Sequence, residues 1–138
     1  MRKIDPYLTF NGNCLEAMSF YKECFGGELE IMIVKDTPMA SQMPPESQNK
    51  VLHSALRNGS FLIMASEMMG SEGFVSGNNV SLSIDCKSEE EMKTFFTYFS
   101  EGGNVFCPIR DEFWGAKFAA VTDKFGTSWL LNYDKNTK

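Results

Sequence analysis

The sequence predicts an α+β fold in which one unit is written twice. Three observations carry this. Two helical stretches each end in a glycine pair, Gly26-Gly27 and Gly102-Gly103. Each is preceded by one short strand pattern and followed by three. The last strand of each set opens after a turn glycine, Gly59 in "LRNGSFLIMASE" and Gly126 in "TDKFGTSWLLNYD". Both halves therefore read strand, helix, strand, strand, strand, and a repeat of this length marks two copies of one supersecondary unit. Module one covers about residues 4–69 and module two about 78–135, within a single domain spanning 1–138.

The first strand is "PYLTF". Asn13 then opens a helix with Glu16 three residues on, the spacing of a capping box. Leu15, Met18, Tyr21 and Phe25 give it an apolar stripe at helical spacing. The glycine pair stops it, because glycine accepts the left-handed cap at no steric cost. "ELEIMIV" is the second strand. The polar, proline-rich segment "DTPMASQMPPESQNK" is expected as a surface loop. The repeat is offset by 76 residues at the glycine pairs and 67 at the turn glycines, which places an insertion of about nine residues in that segment. "VLHSAL" and the strand after Gly59 complete the module, and the glycine-rich "EMMGSEGFVSGNN" reads as a linker.

The second module opens with "NVSLSID". Its alternation turns Val80, Leu82 and Ile84 towards the helix and leaves Asn79, Ser81 and Ser83 on the other face. Ser88 and Glu91 form a second capping box, and Met92, Phe95, Phe96 and Phe99 form the stripe. "NVFCPIR", the connection "DEFWGAKF", "KFAAVT" and the strand after Gly126 follow.

A formal net charge of −5 disfavours nucleic acid and anionic membranes as partners, since both repel an acidic surface. No apolar stretch approaches the ~20 residues of a membrane span, and the N-terminus has no signal-peptide pattern. The four cysteines, at 14, 24, 86 and 107, have no CxxC spacing. Thiols used as small hydrophobes in a reducing cytoplasm are expected.

The order of "PYLTFNGN", "FYKECFGG", "LHSAL", "EGGNV", "FWGAKF" and "DKFGTSW" resembles the PhnB-like group of the vicinal oxygen chelate superfamily, which includes glyoxalases, extradiol dioxygenases and bleomycin-resistance proteins. The resemblance covers almost the whole chain. It implies two βαβββ modules forming a curled mixed sheet around a cleft, and a homodimer, with the modules paired within one chain or, as often in the superfamily, exchanged across the dimer. Apolar sheet edges that an identical chain completes by two-fold pairing fit that expectation.

Enzymes of this superfamily hold one divalent metal through His, Glu or Gln, on the first and last strands of each module. The last-strand position, four residues past the turn glycine, falls here on Ile63 and Leu130, which donate nothing. The first-strand position falls on Asn79 in module two, and on Asp5, Pro6 or Tyr7 in module one. No metal and no cofactor are therefore expected. The neighbouring Trp129 is expected to turn towards the helix. Part of the group is labelled 3-demethylubiquinone methyltransferase-like. The glycines here sit in caps and turns, however, and no nucleotide-binding glycine motif occurs.

The expected ligand contacts are Tyr7, His53, Asn79, Ser81, Phe113 and Trp114. His53, the single histidine, is the candidate catalytic base or hydrogen-bond donor. Phe113 and Trp114 beside Gly115 would wall the cleft. Two functions compete: a metal-independent binder of a small, apolar or aromatic molecule, and a metal-dependent glyoxalase- or dioxygenase-like enzyme.

Overall fold

The structure, a computed structural model, describes residues 2–70 and 73–135. The chain folds as two compact units, Met1–Val75 and Ser76–Lys138. The first contains β1 (Tyr7–Phe10), α1 (Cys14–Phe25), β2 (Glu28–Ile33), β3 (Val51–Asn58) and β4 (Phe61–Glu67). The second contains β5 (Leu82–Asp85), α2 (Glu89–Ser100), β6 (Asn104–Asp111), β7 (Ala116–Thr122) and β8 (Ser128–Asp134). Each unit is a four-stranded mixed sheet with one helix, in the orders β1-β4-β3-β2 and β5-β8-β7-β6. The first strand of each unit pairs parallel with the last, and the remaining pairs are antiparallel. This is the α+β fold of two similar modules that the repeat predicts. Ser71 and Glu72 of the expected linker lie outside the described residues.

Each helix covers one face of its own sheet. Cys14, Ala17, Met18 and Tyr21 are the buried face of α1, so the stripe runs one residue to the side of the expected one and Leu15 is half exposed. Met92, Phe95 and Phe99 are the buried face of α2, and Trp129 of β8 stacks on Phe99 with centroids 4.7 Å apart and planes at 5°. Trp129 therefore faces the helix, as alternation predicts.

The glycine pairs have a two-part explanation. Gly26 and Gly102 both carry φ +73°, the conformation that ends a helix. At the second glycine the chain passes so close to the neighbouring hairpin strand that a side chain would strike its backbone: Arg57 O at Gly27, Thr122 O at Gly103. The pair is thus a cap followed by a packing contact.

Three expectations are corrected. Asn13 makes no side-chain cap bond. The N-terminus of α1 is met instead by Glu67 from the end of β4, whose carboxylate accepts from Gly12 N at 2.5 Å and Cys14 N at 3.4 Å. A buried carboxylate at the positive end of a helix replaces the local capping box. By contrast Ser88 accepts from Glu91 N at 3.0 Å, while Glu91 reaches back to Lys87 N.

The segment after β2 is a largely exposed connection, as expected, and it is wound rather than extended. It winds through three 3₁₀ turns, Val34–Asp36, Pro38–Gln42 and Pro45–Ser47, tied together by Gln48 Nε2 donating to Ala40 O and Met43 O. The strand expected from Asn79 begins only at Leu82, and Val80 is 69% exposed rather than turned to the helix. Leu82 and Ile84, which pair with Trp129 and Leu131, do share the helix face.

The last correction concerns Ile63. Ser54 and Cys14 meet across the sheet–helix boundary of the first unit, 3.9 Å apart, so the residues in phase with Ser54 face α1. Ile63 pairs with Leu56, two residues from Ser54, and is buried on that face. Leu130 is out of phase with Trp129 and lies on the other, open face. Gly59 is the first residue of a two-residue turn, whereas Gly126 is the fourth of five (Asp123–Thr127). In both hairpins the count of four lands on the third strand residue; the faces differ because Asn58 enters its turn in phase with Leu56, on the helix face, whereas Thr122 enters in phase with Ala120, on the open face.

Candidate functional site

The open face of the first sheet can be read strand by strand, since cross-strand partners share a face. Met64 of β4 is flanked by Tyr7 of β1 and Ala55 of β3, and His53, two residues before Ala55, is opposite Met32 of β2. Tyr7 and His53 approach each other: the Tyr7 hydroxyl is 3.2 Å from His53 Nδ1, with ring centroids 5.8 Å apart. The first-strand register is thereby resolved in favour of Tyr7. Asp5 lies before β1 and pairs with Lys3 at 3.6 Å.

The chemistry of this pair follows from the imidazole. When the Tyr7 hydroxyl donates to Nδ1, Nε2 carries the proton and can donate onward. When Nδ1–H donates to the phenolic oxygen, Nε2 is an acceptor and can take a proton. Tyr7 thus fixes the ring and leaves its far nitrogen for another molecule, as a partner orients a histidine base in other sites. Tyr7 is 50% exposed and His53 is partly exposed, so both can be reached from solvent.

In the second unit, Phe113 and Trp114 form the tip of the β6–β7 connection. Their rings meet edge to face at 5.0 Å and 89°, and they are 96% and 53% exposed. The turn beneath is closed by Glu112 N donating to Ala116 O at 2.7 Å and by Gly115 at φ +96°. Arg110 Nε donates to Glu112 at 2.6 Å. Asp111 is 3.2 Å from Lys117 Nζ and 3.4 Å from Lys135 Nζ, and those ammonium groups hold its carboxyl below the usual range. Neither ring packs into the core of its unit, so their exposure is not a by-product of core closure. Asn79 and Ser81 are exposed in the segment ahead of β5. The structure thus joins Tyr7 to His53 and Phe113 to Trp114.

The superfamily's divalent metal does not fit these side chains. Among the described residues no three His, Cys, Asp or Glu side chains come together in a way that could hold an ion. The open-face residue of β8 at the expected position is Leu130, and in the first unit that position points into the core as Ile63. Nor do the cysteines offer a nucleophile near this face. Cys14 is fully buried, and burial pushes its thiol up to about 11, with Ser54 pulling it down and Glu67 pushing it up to lesser degrees.

The residues missed from the sequence are Met32 and Met64, which flank the pair, and Glu67, which sets the start of α1. Alternation on β2 and β4 holds the signal for the methionines once the face of His53 is known.

Residues 2–132 match the family described as 3-demethylubiquinone-9 3-methyltransferase. Protein YjdN of Escherichia coli (strain K12) is 31% identical over 144 residues, covering 96% of this chain and 95% of its own. The crystal structure of protein PA1353 from Pseudomonas aeruginosa matches with TM-score 0.87 and 37% identity, over 97% of this chain and 98% of the other. A putative 3-demethylubiquinone-9 3-methyltransferase, PhnB protein, from Bacillus cereus matches with TM-score 0.77 and 26% identity, over 96% and 99%. More distantly, a glyoxalase/bleomycin resistance protein/dioxygenase family enzyme from Burkholderia phytofirmans PsJN shares the fold alone, at TM-score 0.59 and 17% identity over 94% and 98%. The family match over residues 2–132, with the duplicated βαβββ unit, its paired glycines and these relatives, places the chain in the PhnB-like 3-demethylubiquinone-9 3-methyltransferase family.

Proposed function

We propose that this protein binds a small organic molecule without a metal, through Tyr7 and His53 on the open face of the first sheet. The observation that carries the reading is the Tyr7–His53 contact, which leaves one imidazole nitrogen oriented and available. On the second unit, Phe113 and Trp114 offer exposed aromatic area of their own, and Asn79 and Ser81 exposed polar groups. His53 is the group that would exchange a proton with a bound molecule if the protein catalyses a reaction. The methyl transfer in the family's name draws no support from the glycines, which serve as caps, turns and close contacts.

A ligand screen by tryptophan fluorescence tests this reading. Trp114 should respond and Trp129 should not, because Trp129 is buried against Phe99. Trp114→Phe assigns the signal. His53→Ala should weaken binding by about 1–3 kcal/mol, the cost of leaving a partner unsatisfied, with the circular dichroism spectrum unchanged. Loss of the fold in His53→Ala, or unchanged affinity for every ligand found, would defeat the assignment.

Metal content separates this reading from a metal-dependent enzyme. Elemental mass spectrometry after purification without chelators should find zinc, nickel, iron and manganese well below one per chain. About one equivalent retained through dialysis would favour the enzyme.

Two further proposals concern assembly and place. Val105 and Phe106 are exposed on β6, the edge strand of the second sheet, with Phe106 at 67%. Covering that edge with a second copy would remove both apolar area and unpaired backbone. Light scattering at micromolar concentration should give about twice the 15.6 kDa chain mass, and a monomer would contradict the dimer. The absence of any CxxC spacing among the four cysteines suits the reducing cytoplasm.

A further inference from the structure

Resting on that reading of the site, we propose that the ligand is an uncharged aromatic compound bearing one oxygen function, a phenol or an aryl ketone. The inference comes from what surrounds the Tyr7–His53 pair. A thioether stands beside each member: Met32 is paired with His53 across β2–β3, and Met64 with Tyr7 across β1–β4. Met32 is half exposed, and Ala55, opposite both Glu30 and Met64, is buried and has only a methyl group, so it adds no polar atom there. Sulfur packs favourably against the edge of an aromatic ring, and the flexible methionine chain adapts to a flat guest.

Charge argues the same way. The charged side chains of β2 and β3 on this face are Glu30, next along the face from Met32 and opposite Ala55, and beyond it Glu28 and Arg57. Arg57 already lies 3.9 Å from Glu30. Glu30 would repel an anion there, and the one cation of these two strands on this face, Arg57, already faces Glu30, so no counter-charge on them awaits an anionic ligand beside His53. Stripping water from an uncompensated charge on an apolar floor is costly, whereas one oxygen can be matched by one imidazole nitrogen. Both tautomers of the pair are usable: Nε2–H donates to a ketone oxygen, and a bare Nε2 accepts from a phenol.

The chain's composition supplies unambiguous reporters. His53 is the single histidine, so its ring proton is one resonance, and methyl-labelled methionine gives a separate signal for each thioether. Met32→Leu and Met64→Leu each remove one signal and so assign it. The full-length protein is titrated with acetophenone, p-cresol, benzoate and cyclohexanol. Acetophenone and p-cresol should shift the His53 ring proton and the Met32 and Met64 methyls along one saturation curve. Benzoate and cyclohexanol should bind at least about tenfold more weakly.

Benzoate binding as tightly, with the same His53 shift, would overturn the uncharged class and leave the site standing. Equal binding of cyclohexanol would overturn the aromatic class in the same way. If acetophenone and p-cresol move neither His53 nor the two methyls up to about 10 mM, the inference is wrong. The site itself then falls only if ligands from the fluorescence screen also leave the His53 signal in place.

Discussion

Asp123→Ala is expected to cost about 3–4 kcal/mol, a large fraction of the ~5–15 kcal/mol that holds a domain of this size together. Asp123 is buried at the start of the β7–β8 turn, and its carboxylate serves three donors. Oδ1 accepts from Phe125 N at 2.9 Å and Thr127 N at 3.1 Å, and Oδ2 accepts from Trp129 Nε1 at 2.8 Å. Alanine deprives all three donors of that acceptor. The two amides are near the surface and can turn to water, while the indole N–H is sealed in the core, so the indole dominates the loss.

Asp123→Asn separates the two contributions. Its amide oxygen can still close the turn, but its NH₂ then faces the indole N–H, donor against donor. A loss of about 1–2 kcal/mol is expected, and much less when Asp123→Asn is made in a Trp129→Phe background, where the indole donor is gone. Urea denaturation of these variants beside the wild type checks this. A cost below about 1 kcal/mol for Asp123→Ala would show that the turn is held by something else.

Gly103→Ala is the second severe change, with Gly27→Ala its counterpart in the first unit. A β-carbon at Gly103 would overlap the carbonyl oxygens of Thr122 and Phe99, and one at Gly27 would overlap Arg57 O and lie 2.9 Å from Asn58 Cβ. These are backbone atoms of strands and a helix end, so relief requires a whole element to move. Each substitution is expected to cost about 3 kcal/mol or more. At Gly27 the φ of +95° adds strain for any L-residue. Gly59→Asn is the control: Gly59 has φ +54° and open space around the missing β-carbon, so a change within about 1 kcal/mol is expected. Equal losses at Gly59 and Gly103 would mean that glycine matters for turn conformation alone and that the close approach is unimportant.

The amino-acid sequence by itself determined the local and periodic features. The paired glycines, the Ser88–Glu91 cap, the apolar stripe of α2 and the orientation of Trp129 all depend on spacings of a few residues. Local sterics and helical or strand period dictate those spacings. Duplication then carried the reading from one half to the other.

Tertiary structure decided whatever depends on a partner distant in the chain. Asn13 looks like a helix cap, but Glu67, 54 residues later, takes the role because β4 ends beside the start of α1. Ile63 looks equivalent to Leu130, yet the strands before the two turns enter them one residue out of phase, Asn58 on the helix face and Thr122 on the open face. In a strand a single-residue difference of phase exchanges core for open face. Tyr7 and His53 are 46 residues apart and meet across β4, a juxtaposition set by the strand order β1-β4-β3-β2. Strand order is set by which pairing buries the most apolar surface and satisfies the most backbone, a property of the assembled sheet that no single segment encodes.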